Sequence, residues 1–137
     1  MSTKRNLNRK TKLRSLGLCT NCGKNKAIDG RVSCQECSLK SVARSVGDRS
    51  KWKELKNLYE SQNGICSYFC IPITIGVDAS IDHIIPKSKG GTDDISNLQW
   101  THIWANKMKN DDDHNVFLEK LKEIIPKIAD RFASAIP

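Results

Sequence analysis

A chain of 137 residues has room for one modest core or two very small ones, because so short a chain buries only a limited fraction of its surface. With 38% hydrophobic and 28% charged residues the composition is that of an ordinary folded protein, and no apolar run is long enough to span a bilayer, which excludes a membrane-spanning role. The net charge of +8 is unevenly placed: residues 1–60 carry 15 Lys and Arg against 5 Asp and Glu, whereas residues 61–137 carry 8 against 10. The first part reads as a polyanion-binding module, and the second has no need to be one.

The opening MSTKRNLNRK lacks the apolar stretch of a secretion signal, so the expected location is a reducing cytosol. Residues 1–16 are basic and nearly free of large apolar side chains, which predicts a flexible arm ordered only by a partner. Its cations, Lys4, Arg5, Arg9, Lys10, Lys12 and Arg14, are candidate nucleic-acid contacts; a merely solubilising arm is the competing reading.

Residues 17–40 follow a Cys-x2-Cys-x11-Cys-x2-Cys pattern, Cys19, Cys22, Cys34 and Cys37, with Gly23 and Gly30 at turns. Two close thiolate pairs suit tetrahedral Zn²⁺, since each pair can wrap one edge of the ion. A segment this short cannot fold on apolar burial alone, so the metal would supply most of its stability. Disulfides are the competing reading and sit poorly with a reducing compartment.

Residues 41–63 place Trp52, Leu55, Leu58 and Tyr59 at helical spacing and stop at Asn63-Gly64, predicting a linker helix. Residues 65–85, rich in Ile, Val, Phe, Tyr and Thr and broken by Pro72, Gly76 and Asp78, predict two short strands, the second over 80–85. A loop follows, with Gly90-Gly91 as its flexible point. Residues 97–109 set Trp100, Ile103, Trp104 and Met108 on one helical face and His102, Asn106 and Lys109 on another, predicting a helix buried on one side. Residues 113–137 carry Phe117, Leu121, Ile124, Ile125, Ile128 and Phe132, a packing helix with a kink or break near Pro126; His114 is expected at the surface without a role.

The stretch SIDHIIPKSKGGTDDISNLQWTHIWANKMKND, from residue 80, resembles the HNH family of ββα-metal nucleases, particularly short phage-borne and free-standing homing endonucleases. The likeness runs over roughly residues 64–111 and rests on Asp82-His83-Ile84-Ile85-Pro86, Gly90-Gly91, Asn97-Leu98-Gln99, Asn106 and Lys109 taken jointly. It implies an α+β fold in which a ββα-metal core is preceded by the zinc knuckle or ribbon and linker helix and followed by the C-terminal helix. It also implies that Asp82 and Asn106 hold a catalytic Mg²⁺ or Mn²⁺, that His83 is the general base, that Asn97 orients its imidazole, and that Lys109 contacts the scissile phosphate. The residue types suit the chemistry independently. Histidine can accept a proton near neutral pH, and hard oxygen donors favour Mg²⁺.

Relatives commonly hold a further zinc on two Cys pairs; here Cys66 and Cys70 are separated by three residues rather than two, His102 stands in for the third ligand and Ala105 for the fourth, so Cys66, Cys70 and His102 make an incomplete set. Double-stranded DNA is the expected partner, bound by a monomer or homodimer, with homing as the expected role. A non-catalytic zinc-dependent DNA-binding protein and a nuclease acting on RNA are the alternatives.

Overall fold

The polypeptide, seen in a computed structural model that describes residues 2–135, opens with helix α1 (Ser2–Ser15). Residues 1, 136 and 137, the outer ends of the expected arm and C-terminal helix, lie outside the described residues. The arm expected to be flexible is thus helical. Its Lys, Arg and Leu residues are good helix formers, and the end is closed by a Schellman turn in which Gly17 (φ +66°) donates to the Arg14 carbonyl and Leu18 to that of Leu13.

Around the four cysteines the chain makes a small bridge between Leu18 and Lys26 and then enters α2 (Gln35–Ser45). Cys34 caps this helix, its sulfur accepting from the Cys37 N–H. The single linker helix expected over 41–63 is two helices instead. Gly47 (φ +92°) ends α2, Asp48 caps a 3-10 turn over Arg49–Lys51 through the Ser50 N–H, and α3 (Trp52–Ser61) follows.

Residues 65–85 supply one strand rather than two. Ile65 only bridges Pro72, and the strand is β1 (Ala79–His83). Its antiparallel partner β2 (Leu98–His102) pairs Asp82 with Gln99 and His83 with Leu98. Residues 98–102 were expected to be helical, because Trp100, Trp104 and Met108 recur every four residues. Every residue of β2 is buried, so the strand lacks the alternation that would betray it.

The helix α4 (Ile103–Lys109) starts only after His102, whose Nδ1 accepts from the Trp104 N–H. Ile103, Met108 and Trp104, the last 66% exposed, therefore face outward and are not the buried stripe expected. Helix α5 (His114–Ala135) runs through Pro126 without interruption. Residues around Pro126 are exposed, so water can satisfy the carbonyl that proline leaves without a donor. Phe117 and Leu121 are its buried residues; Ile124, Ile125, Ile128 and Phe132 are solvent-facing.

One apolar core joins these pieces. Leu39, Ala43 and Val46 of the cysteine unit and its helix meet Leu55, Ile73, Ile75, Leu98, Trp100 and Phe117, and the Trp100 indole donates to the Leu55 carbonyl. Among the described residues no helix is long and apolar enough to cross a membrane.

Candidate active site

Asp82 and His83 occupy the end of β1, where neighbouring side chains of a regular strand would face opposite ways. The strand stops at His83, and both residues line one cleft of about 320 Å³ together with Pro86, Lys87, Asn106, Lys109 and Asp111. Asn106 reaches it from α4. Its Nδ2 donates to the Ser80 hydroxyl (2.8 Å) and the Ile81 carbonyl (2.9 Å), which fixes the amide and leaves Oδ1 as its unbonded end.

Asp82 is only 3% exposed, and its two oxygens have different partners. Oδ1 pairs with the Lys109 ammonium at 3.0 Å, while Oδ2 accepts from the Gln99 amide at 2.9 Å and lies 3.5 Å from the Tyr68 hydroxyl. Burial and the Asp82 charge push the Tyr68 phenol above its usual range. Tyr68 also takes a hydrogen bond from Gln99 (2.7 Å) and shares one with His114 Nδ1 (3.0 Å). His114, expected at the surface without a role, is half-buried and packed on the Tyr68 ring.

Lys109 departs from its expected place at a phosphate. It is 1% exposed, pairs with Asp82, and donates to the His83 carbonyl at 2.8 Å. A buried carboxylate needs a compensating cation, and in this arrangement the lysine is that cation.

Asn97 does not reach the imidazole. Its Oδ1 accepts from the Ile85 N–H (2.9 Å), and its Nδ2 donates to the carbonyls of Ile85 (3.0 Å) and Thr92 (2.9 Å), so it clasps the loop between the strands. An Asn held this way satisfies backbone groups that the loop's tight path leaves unpaired. The same loop explains Gly90-Gly91, expected as a flexible point: Gly90 takes φ +86°, and a Cβ on Gly91 would fall 1.7 Å from the Ile85 oxygen. Close approach, not flexibility, requires glycine here.

The group that does meet the imidazole is Asp93, unremarked in the sequence, with Oδ1 2.7 Å from His83 Nε2. Its Oδ2 takes a hydrogen bond from Lys87 (2.8 Å), and its backbone oxygen one from Lys51 (2.8 Å). Lys87 and His83 together hold the Asp93 carboxyl below the usual carboxylate range. The only hint in the sequence was an acidic pair, Asp93-Asp94, inside the motif's loop; which member turns inward is a matter of loop geometry.

Cys19, Cys22, Cys34 and Cys37 bring their sulfurs within 4.8 Å of one another, with Cys22 and Cys34 3.9 Å apart. Burial opposes ionisation of Cys19, but N–H groups of Cys22, Cys34 and Asn21 overcome it and hold the thiol at about 6. Cys22 is lowered by the N–H groups of Asn25 and Lys24, and Cys37 is pushed up to about 12 by burial and by its neighbouring thiols. Backbone dipoles thus favour thiolate at one end of the cluster while crowding opposes a full set. A cation among the sulfurs removes that conflict, so the quartet fits a metal ion.

Cys66, Cys70 and His102 are not brought together in this way. Among the described residues the quartet is the metal-competent group of Cys, His and acidic donors. Cys66 is buried and accepts N–H bonds from Phe69 and His102, Cys70 is exposed, and His102 caps α4. On α1 the six candidate cations, Lys4, Arg5, Arg9, Lys10, Lys12 and Arg14, are all exposed, with no acidic residue in the helix's first turn.

Asp82 and Asn106 line the same cleft, and a carboxylate and an amide carbonyl are the donor types that suit a hard divalent ion, although in this arrangement the Asp82 oxygens are engaged by Lys109 and Gln99. Residues 64–112 match the HNH endonuclease family. That family implies metal-dependent nuclease activity on nucleic acid. Neither a curated protein nor a solved structure matches the chain.

Proposed function

We propose, with the HNH match as premise, that the chain is a Mg²⁺- or Mn²⁺-dependent endonuclease of double-stranded DNA, of the phage or mobile-element homing kind. The observation that carries this reading is the convergence of His83, Asp82 and Asn106 on one cleft from the end of a strand and a helix. In it, Asp82 and Asn106 hold the divalent ion, which when bound neutralises charge at the scissile phosphate and on the departing oxygen. His83 takes a proton from the attacking water. Asn97 closes the loop that presents His83. The four cysteines hold a structural Zn²⁺, and the exposed cations of α1 engage the phosphate backbone, so this end of the molecule supplies the hold on DNA.

Conversion of supercoiled plasmid to nicked or linear form tests the reading. Cleavage is expected with Mg²⁺ and not without it, and is expected to vanish in His83→Ala while DNA binding persists. Binding without cleavage in Mg²⁺ or Mn²⁺ across several sequences overturns it in favour of a DNA-binding protein. Matched RNA duplexes cut in preference to DNA would change the substrate.

A further inference from the structure

We infer that Asp93 is a positioning residue for His83: its carboxylate fixes the imidazole as the Nε2–H tautomer and leaves Nδ1 as the nitrogen that receives the proton. The inference rests on His83 acting as the base, and it assigns to Asp93 the orienting role expected of Asn97. The contact is 2.7 Å, and an ionised carboxylate can only accept, so the hydrogen lies on Nε2. Asp93 is kept ionised by Lys87 on its other oxygen. A hydrogen bond on one ring nitrogen decides the protonation of the other.

Asp93 is itself braced from both sides. Lys51, in the 3-10 turn before α3, donates to its carbonyl, and Asn97 holds the carbonyl of the preceding Thr92. On the far side, a Cβ at Gly47 would come within 3.4 Å of Asp93 Oδ2, so the turn between α2 and α3 lies directly against the carboxylate. The imidazole is therefore pinned at its backbone by the Lys109 bond to the His83 carbonyl, and at its ring by a carboxylate that separate segments of the chain hold in place. A merely adventitious surface pair between a histidine and an aspartate would not be supported on every side. The strict alternative is that Asp93 occupies the base nitrogen and holds the enzyme back until DNA displaces it. The two differ in the sign of the effect.

The test uses the whole chain loaded with zinc. Long-range ¹H–¹⁵N correlation of the histidine rings is expected to find His83 as the Nε2–H tautomer in the wild type and a mixture in Asp93→Ala. The single-turnover cleavage rate, with enzyme in saturating excess over DNA, is expected to fall about 10–100-fold in Asp93→Ala, the usual effect of removing a group that orients a functional side chain, with DNA affinity unchanged. Asp93→Glu is expected to recover part of that rate. Asp93→Asn, which keeps an acceptor but not the charge, should retain the tautomer and lose rate. An Nδ1–H tautomer in the wild type, or a cleavage rate that is unchanged or raised in Asp93→Ala, overturns the inference. If the wild type cleaves no DNA, the proposed function fails by itself, and the tautomer measurement still decides whether Asp93 sets the state of His83.

Discussion

Replacing Lys109 with Met removes the cation paired with Asp82 while nearly preserving volume. Both partners are almost wholly buried, and Asp82 would keep only Gln99 and the more distant Tyr68. Breaking a buried pair from one side costs about 3–5 kcal/mol, because the remaining charge is left uncompensated. At this chain length each kcal/mol moves Tm by roughly 4 °C, so a drop on the order of 10–20 °C is expected in buffer free of divalent ions. The double variant Asp82→Asn/Lys109→Met removes both charges and should be more stable than Lys109→Met alone. If Asp82 holds Mg²⁺ as proposed, the ion would supply the missing positive charge and should raise the Tm of Lys109→Met more than that of the wild type. Thermal melts followed by circular dichroism, with and without Mg²⁺, measure all three. A Lys109→Met variant that melts within about 2 °C of the wild type would refute the claim that this pair is the charge balance of the site. A larger Mg²⁺ effect on the wild type would refute the competition between lysine and metal.

Asn97→Ala deletes three hydrogen bonds that close the loop, and should cost about 1–3 kcal/mol in urea unfolding, with faster amide exchange at Ile85. Native mass spectrometry is expected to find one zinc per chain, released as pH falls, because protons compete for the thiolates of the quartet; a second zinc would reinstate the Cys66, Cys70 and His102 set. Stripping that zinc with a strong chelator should melt α2 along with the cysteine unit, and re-adding Mg²⁺ alone should not restore cleavage, as circular dichroism and the plasmid assay would register. Neutralising Lys4, Arg5, Arg9, Lys10, Lys12 and Arg14 together should flatten the dependence of DNA affinity on salt by about 0.9 in log–log slope for each phosphate that α1 engages; an unchanged slope would take α1 out of the interface.

Much of the site could be read from residue order, because its chemistry demands particular types at close spacing. Four thiols in two pairs admit few uses, and Asp82-His83 with Asn106 brings an imidazole, a carboxylate and an amide into one short stretch, which the fold gathers at one cleft. What could not be read was set by contacts between segments. Asn97 and Asp93 are four residues apart in one loop, and only the loop's path decides which of them touches the ring. Likewise β2 is covered on both faces, so Gln99 and Thr101 are buried along with Trp100, and the apolar period that remains mimics a helix continuous with α4. Helix α1 has no apolar face to announce it. Its signals are propensity and the Gly17 stop, which a reading keyed to hydrophobic periodicity passes over.

The two proposed metals sort themselves by donor chemistry, sulfur for zinc and oxygen for magnesium, yet the two sites are mechanically joined. Cys34 is both a member of the quartet and the cap of α2, so a metal held by the quartet would anchor the start of that helix. Leu39 and Ala43 on α2 enter the core beside Leu55, whose carbonyl receives the Trp100 indole, and Trp100 neighbours Gln99 on β2. Gln99 in turn holds Oδ2 of Asp82 and leaves Oδ1 turned to Lys109 and the cleft. Just before α3 the 3-10 turn sends Lys51 to the Asp93 carbonyl, tying the same helices to the histidine side of the cleft. A loss of order at the cysteines therefore reaches both the Asp82 carboxylate, the proposed ligand of the catalytic ion, and the loop whose Asp93 meets His83. For this reason chelation experiments must separate the two ions by affinity: a weak chelator that removes only the oxygen-bound ion reports on catalysis, and a strong one reports on the fold beneath it.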